Sequence, residues 1–200
     1  MFPLCHLGTV TQEIQEITVA KGWIIPFFPM RPNSGPNLTK KLALEILEKQ
    51  EEHKYIYQPK LNGDRAVLAV VNREVVVCNR HYGWYHFQVK NAAAFLKLKD
   101  GTIFDGEVWQ GNFYPFDCLA LEGRSYKANT AEEREVMAYQ MCRLLKIEWM
   151  FFKPTKKWLL ELKHNLPKYE GVVRKRADQG YFLLHNATEA STGWLKHRWT

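Results

Sequence analysis

An α+β domain with largely antiparallel sheets is the fold class this sequence predicts, and three observations carry it. Strand-like runs cluster in two blocks, 55–79 and 102–119. Helical segments intervene without the strict alternation of a βαβ chain. Of the 200 residues, 46% are apolar, enough for a core in one large domain or two small ones.

Residues 1–25 carry no recognisable pattern and are set apart as an N-terminal extension; 26–200 form the expected domain. Met1 to Val10 lacks the charged start and apolar centre of a signal peptide. The greasiest run, Gly22 to Met30, is too short to span a bilayer and contains two prolines, so it is expected to pack extended on the core. Pro26, Pro29, Pro32 and Pro36 around Asn33-Ser34-Gly35 predict an irregular connection. Thr39 then caps a helix to about Glu52, whose apolar stripe is Leu42, Leu44, Ile46 and Leu47.

Strands are predicted at 55–58, 66–71 and 74–78, with Asn72-Arg73 as a tight turn and Lys60 in the loop between the first two. A short helix over 90–98 leads through Asp100-Gly101 into a strand over 102–109; Gln110-Gly111-Asn112 turns the chain into 113–119. Thr130-Ala131-Glu132-Glu133 is a capping box opening a helix to about Lys146. A strand over 147–152, a helix over 155–164, and strands at 172–173 and 181–184 around Asp178-Gln179-Gly180 complete the reading.

A net charge of +7 and a pI near 9.2 tilt toward a polyanionic partner. Cys5, Cys78, Cys118 and Cys142 form no Cys-x-x-Cys pair, which argues against a zinc site or a disulfide framework and for a reduced, intracellular protein.

Four features carry chemistry. Lys60, in Lys60-Leu61-Asn62-Gly63-Asp64-Arg65, reads either as a solvated hairpin lysine or as a nucleophile in a cleft, with Gly63 keeping the backbone low and Arg65 offering a fork for phosphate or sugar hydroxyls. Asp105 and Glu107 share one strand face, as a solvated pair or as ligands for a metal or ribose. Glu170 precedes Gly171-Val172-Val173, and Arg174-Lys175-Arg176 follows. Lys196 and Arg198 share another face, as a solvated tail or as a grip on a triphosphate.

In this order the features resemble the motifs of the covalent nucleotidyltransferase superfamily, which contains ATP-dependent DNA ligases, RNA ligases and messenger RNA capping enzymes. Lys60 to Arg65 is similar to its Lys-x-Asp-Gly-x-Arg motif, with Asn62 in place of the usual aspartate. Asn79 to Gly83 loosely resembles the second motif; Phe104 to Val108, with the Phe-Asp element of Tyr114 to Asp117, resembles the third; Tyr169 to Lys175 the fourth; and Trp194 to Arg198 the fifth, with Arg198 where a second lysine is common. Gln58-Pro59-Lys60-Leu61 and the stretch Phe116 to Arg124, running on to Glu132-Glu133-Arg134, point to the DNA ligase branch. RNA ligases usually lack the arginine corresponding to Arg65, whereas capping enzymes often have it.

The resemblance implies an ATP-grasp-like nucleotidyltransferase domain whose sheets are flanked by helices. It also implies an ATP-dependent polynucleotide ligase in which Lys60 carries AMP, with magnesium or manganese held by Asp105, Glu107 and Glu170. The residues it implies for the nucleotide are Gln58, Lys60, Arg65, Glu107, Phe116, Lys175, Lys196 and Arg198. Of these, Gln58 would read the adenine edge, Glu107 the ribose, and Phe116 would stack on the base or fill the core. Arg65 and Arg80 are the candidates for the nucleic acid strand. The expected partner is a nicked DNA or RNA duplex, sealed in DNA repair or replication by a monomer without membrane contact, in the cytoplasm of a bacterium or virus-infected host. Relatives usually continue into an oligonucleotide-binding barrel with a sixth motif. The sequence ends two residues after Arg198, so an excised domain, a minimal enzyme or a separate DNA-binding partner is expected. RNA ligation, RNA-capping guanylyl transfer and an inactive nucleic-acid-binding module are the rival readings.

Overall fold

A computed structural model describes residues 16–19, 23–26, 29–49, 54–79, 89–149, 167–182, 184 and 189–199. Expected elements at 150–152 and 155–164, and Arg80, lie outside them. Among the described residues, β1 (Glu16–Val19) and β2 (Trp23–Pro26) form an antiparallel hairpin that crosses the expected boundary after residue 25.

Two larger sheets build the domain. The first joins β3 (Pro32–Ser34), β4 (Tyr55–Leu61), β10 (Tyr169–Arg176) and β11 (Ser191–Arg198) in the order β3-β11-β10-β4. The second joins β5 (Asp64–Val71), β6 (Glu74–Asn79), β7 (Thr102–Trp109), β8 (Asn112–Leu121) and β9 (Arg124–Ser125) in the order β6-β5-β7-β8-β9. Every pairing is antiparallel except β3 with β11. The proline-rich segment expected to be irregular therefore contributes an edge strand. Pro59 also sits on an edge strand, β4, where a missing N–H can be tolerated.

Local chemistry explains the turns and helices. Asn72-Arg73, Gln110-Gly111 and Glu122-Gly123 all take positive φ at both positions, the geometry that joins twisted antiparallel strands through two residues. Helix α3 (Ala131–Leu145) starts on a complete capping box: the Glu133 amide donates to Thr130 Oγ1 and the Thr130 amide to the Glu133 carboxylate. Lys146 closes it in the left-handed conformation, with φ 56°. Helix α1 (Lys40–Lys49) opens with the Leu42 amide donating to Thr39 Oγ1 at 3.2 Å, and α2 (Ala92–Phe95) is a single turn inside the span expected to be helical.

The apolar side chains arrange these elements in layers. Met30, Val67, Ala69, Ile103, Leu119, Tyr181 and Trp194 fill the space between the sheets. The other face of the five-stranded sheet, through Leu68, Val70, Phe104 and Phe113, packs on Phe95 of α2 and Ala138 of α3. Leu38 with Ala43 and Ile46 of α1 covers Val172 on the outside of the four-stranded sheet. Where two further strands are expected, the described residues, 147–149 in one and 181, 182 and 184 in the other, are irregular. Tyr181 is instead drawn in by its side chain, whose hydroxyl accepts from the Met30 amide. Among the described residues, no helix is long and apolar enough to cross a membrane.

Candidate active site

Lys60 to Arg65 is not a hairpin. Lys60 is the penultimate residue of β4, which pairs with β10, whereas Asp64 and Arg65 open β5, which pairs with β6 and β7. The Asn62-Gly63 corner thus carries the chain from one sheet to the other, and the Asn62 amide donates to the Lys168 carbonyl at 2.8 Å. This overturns both the loop placement of Lys60 and the hairpin alternative. What approaches Gly63 is the protein itself: a Cβ there would lie 2.5 Å from the Val108 carbonyl oxygen.

Because the hexapeptide bridges the sheets, Lys60 and Arg65 meet across a cavity between them. Gln58, Lys60, Lys175, Lys196 and Arg198 line it from the four-stranded sheet, and Arg65, Glu107 and Phe116 from the five-stranded one. Those are the eight residues expected at the nucleotide. Arg31, outside every motif, and Tyr114, Val173 and Trp194, which fall in motif stretches but carry no expected site role, complete much of the wall.

Glu170 stands beside this cavity and ties Lys60 to Arg198. Lys60 Nζ donates to one carboxylate oxygen, and Arg198 Nε to the other at 2.9 Å. Burial alone would raise the Glu170 carboxyl, but the hydrogen bonds from Lys60 and Arg198 outweigh it and hold the pKa below its ordinary value. The strand geometry that permits this is tight, since a Cβ on neighbouring Gly171 would lie 1.9 Å from the His197 carbonyl oxygen on β11. Lys196 is pushed down by burial and then by Arg198, Lys60 and Arg31, as expected where cations converge.

Asp105, one of the three carboxylates expected at the metal, is held by neighbouring side chains. Fully buried, it receives both Arg65 Nε and Nη2, and its Oδ2 also accepts from the Tyr181 hydroxyl at 2.6 Å. The pair fixes the orientation of Arg65, whose Nη2 also donates to the Met30 carbonyl at 2.9 Å. The Arg65 fork is therefore engaged within the protein, and its planar face lies 4.6 Å from the Phe116 ring centre. Among the described residues, no three His, Cys, Asp or Glu side chains converge to cage a metal. Glu107 is different. One of its oxygens is enclosed without a hydrogen-bond partner, and burial pushes its carboxyl up to about 7 against the pull of Arg65 and Lys60. An acceptor left in that condition suits a hard cation that takes one or two carboxylates and completes its shell with phosphate oxygens.

The floor of the cavity is a second ionic network that sequence reasoning missed. Arg134 of α3 donates to Asp117 at 2.7 Å, and Lys175 lies 3.5 Å from the same carboxylate. Lys175 also sits 4.1 Å from the Trp194 ring centre and 4.6 Å from that of Phe116. Burial lowers its pKa to about 8 despite Asp117. Asp117 and Arg134 both fall in motif-like stretches, yet their partnership across 17 residues has no local periodicity to reveal it.

No protein-family model and no curated protein sequence matches the chain. Solved structures do. A mycobacterial DNA ligase D complexed with ATP and MES is 16% identical, with a TM-score of 0.61, over 85% of this chain and 59% of that one. The ligase domain of M. tuberculosis LigD is also 16% identical, with a TM-score of 0.62, over 85% and 58%. Pmar-Lig_PreS3 is 17% identical, with a TM-score of 0.52, over 88% and 48%. The chain spans only about half to three-fifths of the length of these neighbours. Two apposed, largely antiparallel sheets flanked by helices thus give this chain the fold of the ligase domains to which it is similar.

Proposed function

We propose that this domain is the adenylylating unit of an ATP-dependent polynucleotide ligase, acting on nicked DNA. The observation that carries the reading is the convergence of Gln58, Lys60, Arg65, Glu107, Phe116, Lys175, Lys196 and Arg198 on one cavity, with Lys60 held at its edge by Glu170.

The amine of Lys60 gives up its proton and attacks the α-phosphorus of ATP. A P–N bond forms, the bond to the β-phosphate oxygen breaks, and pyrophosphate leaves. An oxygen of a 5′-phosphate end then displaces Lys60 from that phosphorus, and an adjacent 3′-hydroxyl closes the phosphodiester and releases AMP. Lys196, Arg198 and Arg31 offset charge on the phosphates, and Lys175 and Phe116 form the deeper wall against the nucleoside. Glu107 and Glu170 are the carboxylates that would hold magnesium or manganese, which supplies Lewis-acid polarisation of the phosphates when bound. Asp105 acts through Arg65. Arg65, held by Asp105 and Met30 against the Phe116 ring, adds a fixed positive charge to the cavity wall.

The DNA preference rests on Arg65 and on the DNA ligase neighbours with TM-scores above 0.6. One experiment tests the whole reading: incubation with labelled ATP or GTP and a divalent ion, followed by a chase with nicked DNA or nicked RNA. A covalent band with ATP that is consumed by nicked DNA is expected. Labelling by GTP alone would instead favour guanylyl transfer, and no band with either nucleotide would favour an inactive binding module.

A further inference from the structure

Gln58 sits on β4 beside Val173, its Cα partner on β10, and is only 2% exposed. Its amide nitrogen makes two hydrogen bonds at 3.1 Å, one to the Phe116 carbonyl and one to Oε1 of Glu135 on α3. Both partners are acceptors, so the orientation of the amide follows from chemistry: a flip would set its oxygen against two other oxygens. Gln58 lines the cavity, and with both hydrogens of its amide taken inside the protein only the amide oxygen is left to meet a ligand. That oxygen is consequently the group Gln58 presents to whatever enters.

We infer that Glu135 is a positioning residue for base selection: together with the Phe116 carbonyl it locks Gln58 so that a bare acceptor faces the cavity, which favours a purine with an exocyclic 6-amino donor over one with a 6-oxo acceptor. This rests on the nucleotidyl-transfer reading of the cavity. Adenine donates from its 6-amino group where guanine offers only an oxygen. A buried site built to accept that hydrogen leaves two acceptors opposed when the wrong base enters, the kind of mismatch that yields strong discrimination. Glu135 does not itself line the cavity, so its influence passes through the Gln58 amide.

The test compares ATP with GTP in the wild type, Glu135→Lys, Glu135→Gln and Glu135→Ala, reading both covalent labelling and equilibrium binding followed by tryptophan emission, since Trp194 lines the cavity. Lysine at 135 offers donors to the Gln58 oxygen, turns the amide and presents its hydrogens inward, so the ATP:GTP ratio is expected to fall about 10-fold or more. Glutamine can still present an acceptor, and its ratio should stay within about 3-fold of wild type; alanine removes one of two locking acceptors and should fall between. If Glu135→Lys does not fold, the ordering of the glutamine and alanine variants decides. An unchanged ratio in folded Glu135→Lys and Glu135→Ala, or equal losses for both nucleotides, overturns the inference. Wild-type protein that binds ATP selectively but forms no adduct defeats the transfer reading and leaves base selection standing. Adduct formation without any ATP preference does the reverse.

Discussion

The rim and the floor of the cavity use the same ionic chemistry to different ends. At the rim, Glu170 pairs with Lys60 and Arg198, whose side chains are 27%, 14% and 50% exposed. On the floor, Arg134, Asp117 and Lys175 are all at 2% or less. Of the rim pairs, that of Arg198 is open enough to water and salt to contribute only roughly 0–1 kcal/mol. Breaking a buried pair typically costs about 3–5 kcal/mol, because a charge is stranded away from solvent. The rim cations can therefore exchange a carboxylate for substrate phosphate at little structural cost. The floor network reaches the wall through Lys175, which packs on the Phe116 and Trp194 rings.

That contrast can be broken most severely at Lys60. Lys60→Ala should reduce the covalent nucleotide adduct by at least about 10³-fold while costing less stability than the roughly 3–5 kcal/mol of a fully buried pair, because Glu170 keeps Arg198; persistence of the adduct would place the nucleophile elsewhere. The opposite signature belongs to Arg134→Met, which leaves Asp117 buried with only Lys175 and should lower stability by about 3–5 kcal/mol in denaturant titration. A loss below about 1 kcal/mol would show that the floor is not a separate structural unit.

Lys175 sharpens the comparison through pH. Its pKa is about 8 in the folded protein against 10.5 ordinarily, so between these values the unfolded chain binds more protons. The cost of burying the charge is fully present below pH 8 and is relieved as pH rises toward 10.5. Wild-type stability should gain about 1–3 kcal/mol across that window relative to Lys175→Met, measured by unfolding at several pH values. Parallel pH profiles would overturn the assignment. The smallest structural effect is expected from Arg198→Ala: stability within about 1 kcal/mol of wild type, but adduct formation slowed roughly 10–100-fold. Equal stability and equal labelling would remove Arg198 from phosphate binding.

Much of this architecture was legible locally. The capping box at Thr130, the turn at Asn72-Arg73 and the strand over 102–109 depend on contacts within a few residues, and they stand where short-range chemistry predicts. Residues 181, 182 and 184 read as part of a strand because their run is apolar, but it buries Tyr181 against Trp194 without a described residue joining a ladder. Pro32–Ser34 was missed because a three-residue parallel edge strand has too few positions to show a period.

For the site, the sequence alone determined the cast: a lysine, two spaced carboxylates, a Glu-Gly pair and a late basic pair, in an order carried by residue type and spacing. Tertiary structure alone decided their parts. Asp105 and Glu107 share a strand and a charge, yet Arg65 and Tyr181 saturate the first and leave an oxygen of the second enclosed without a partner. Asn62-Gly63, which by local propensity reads as a hairpin turn, crosses between sheets because β4 finds its partner in β10, more than 100 residues away. Propensity acts over a few residues, whereas burial and pairing depend on which distant strand arrives. That is why Lys60 could be singled out from sequence but placed opposite Arg65 only by the fold.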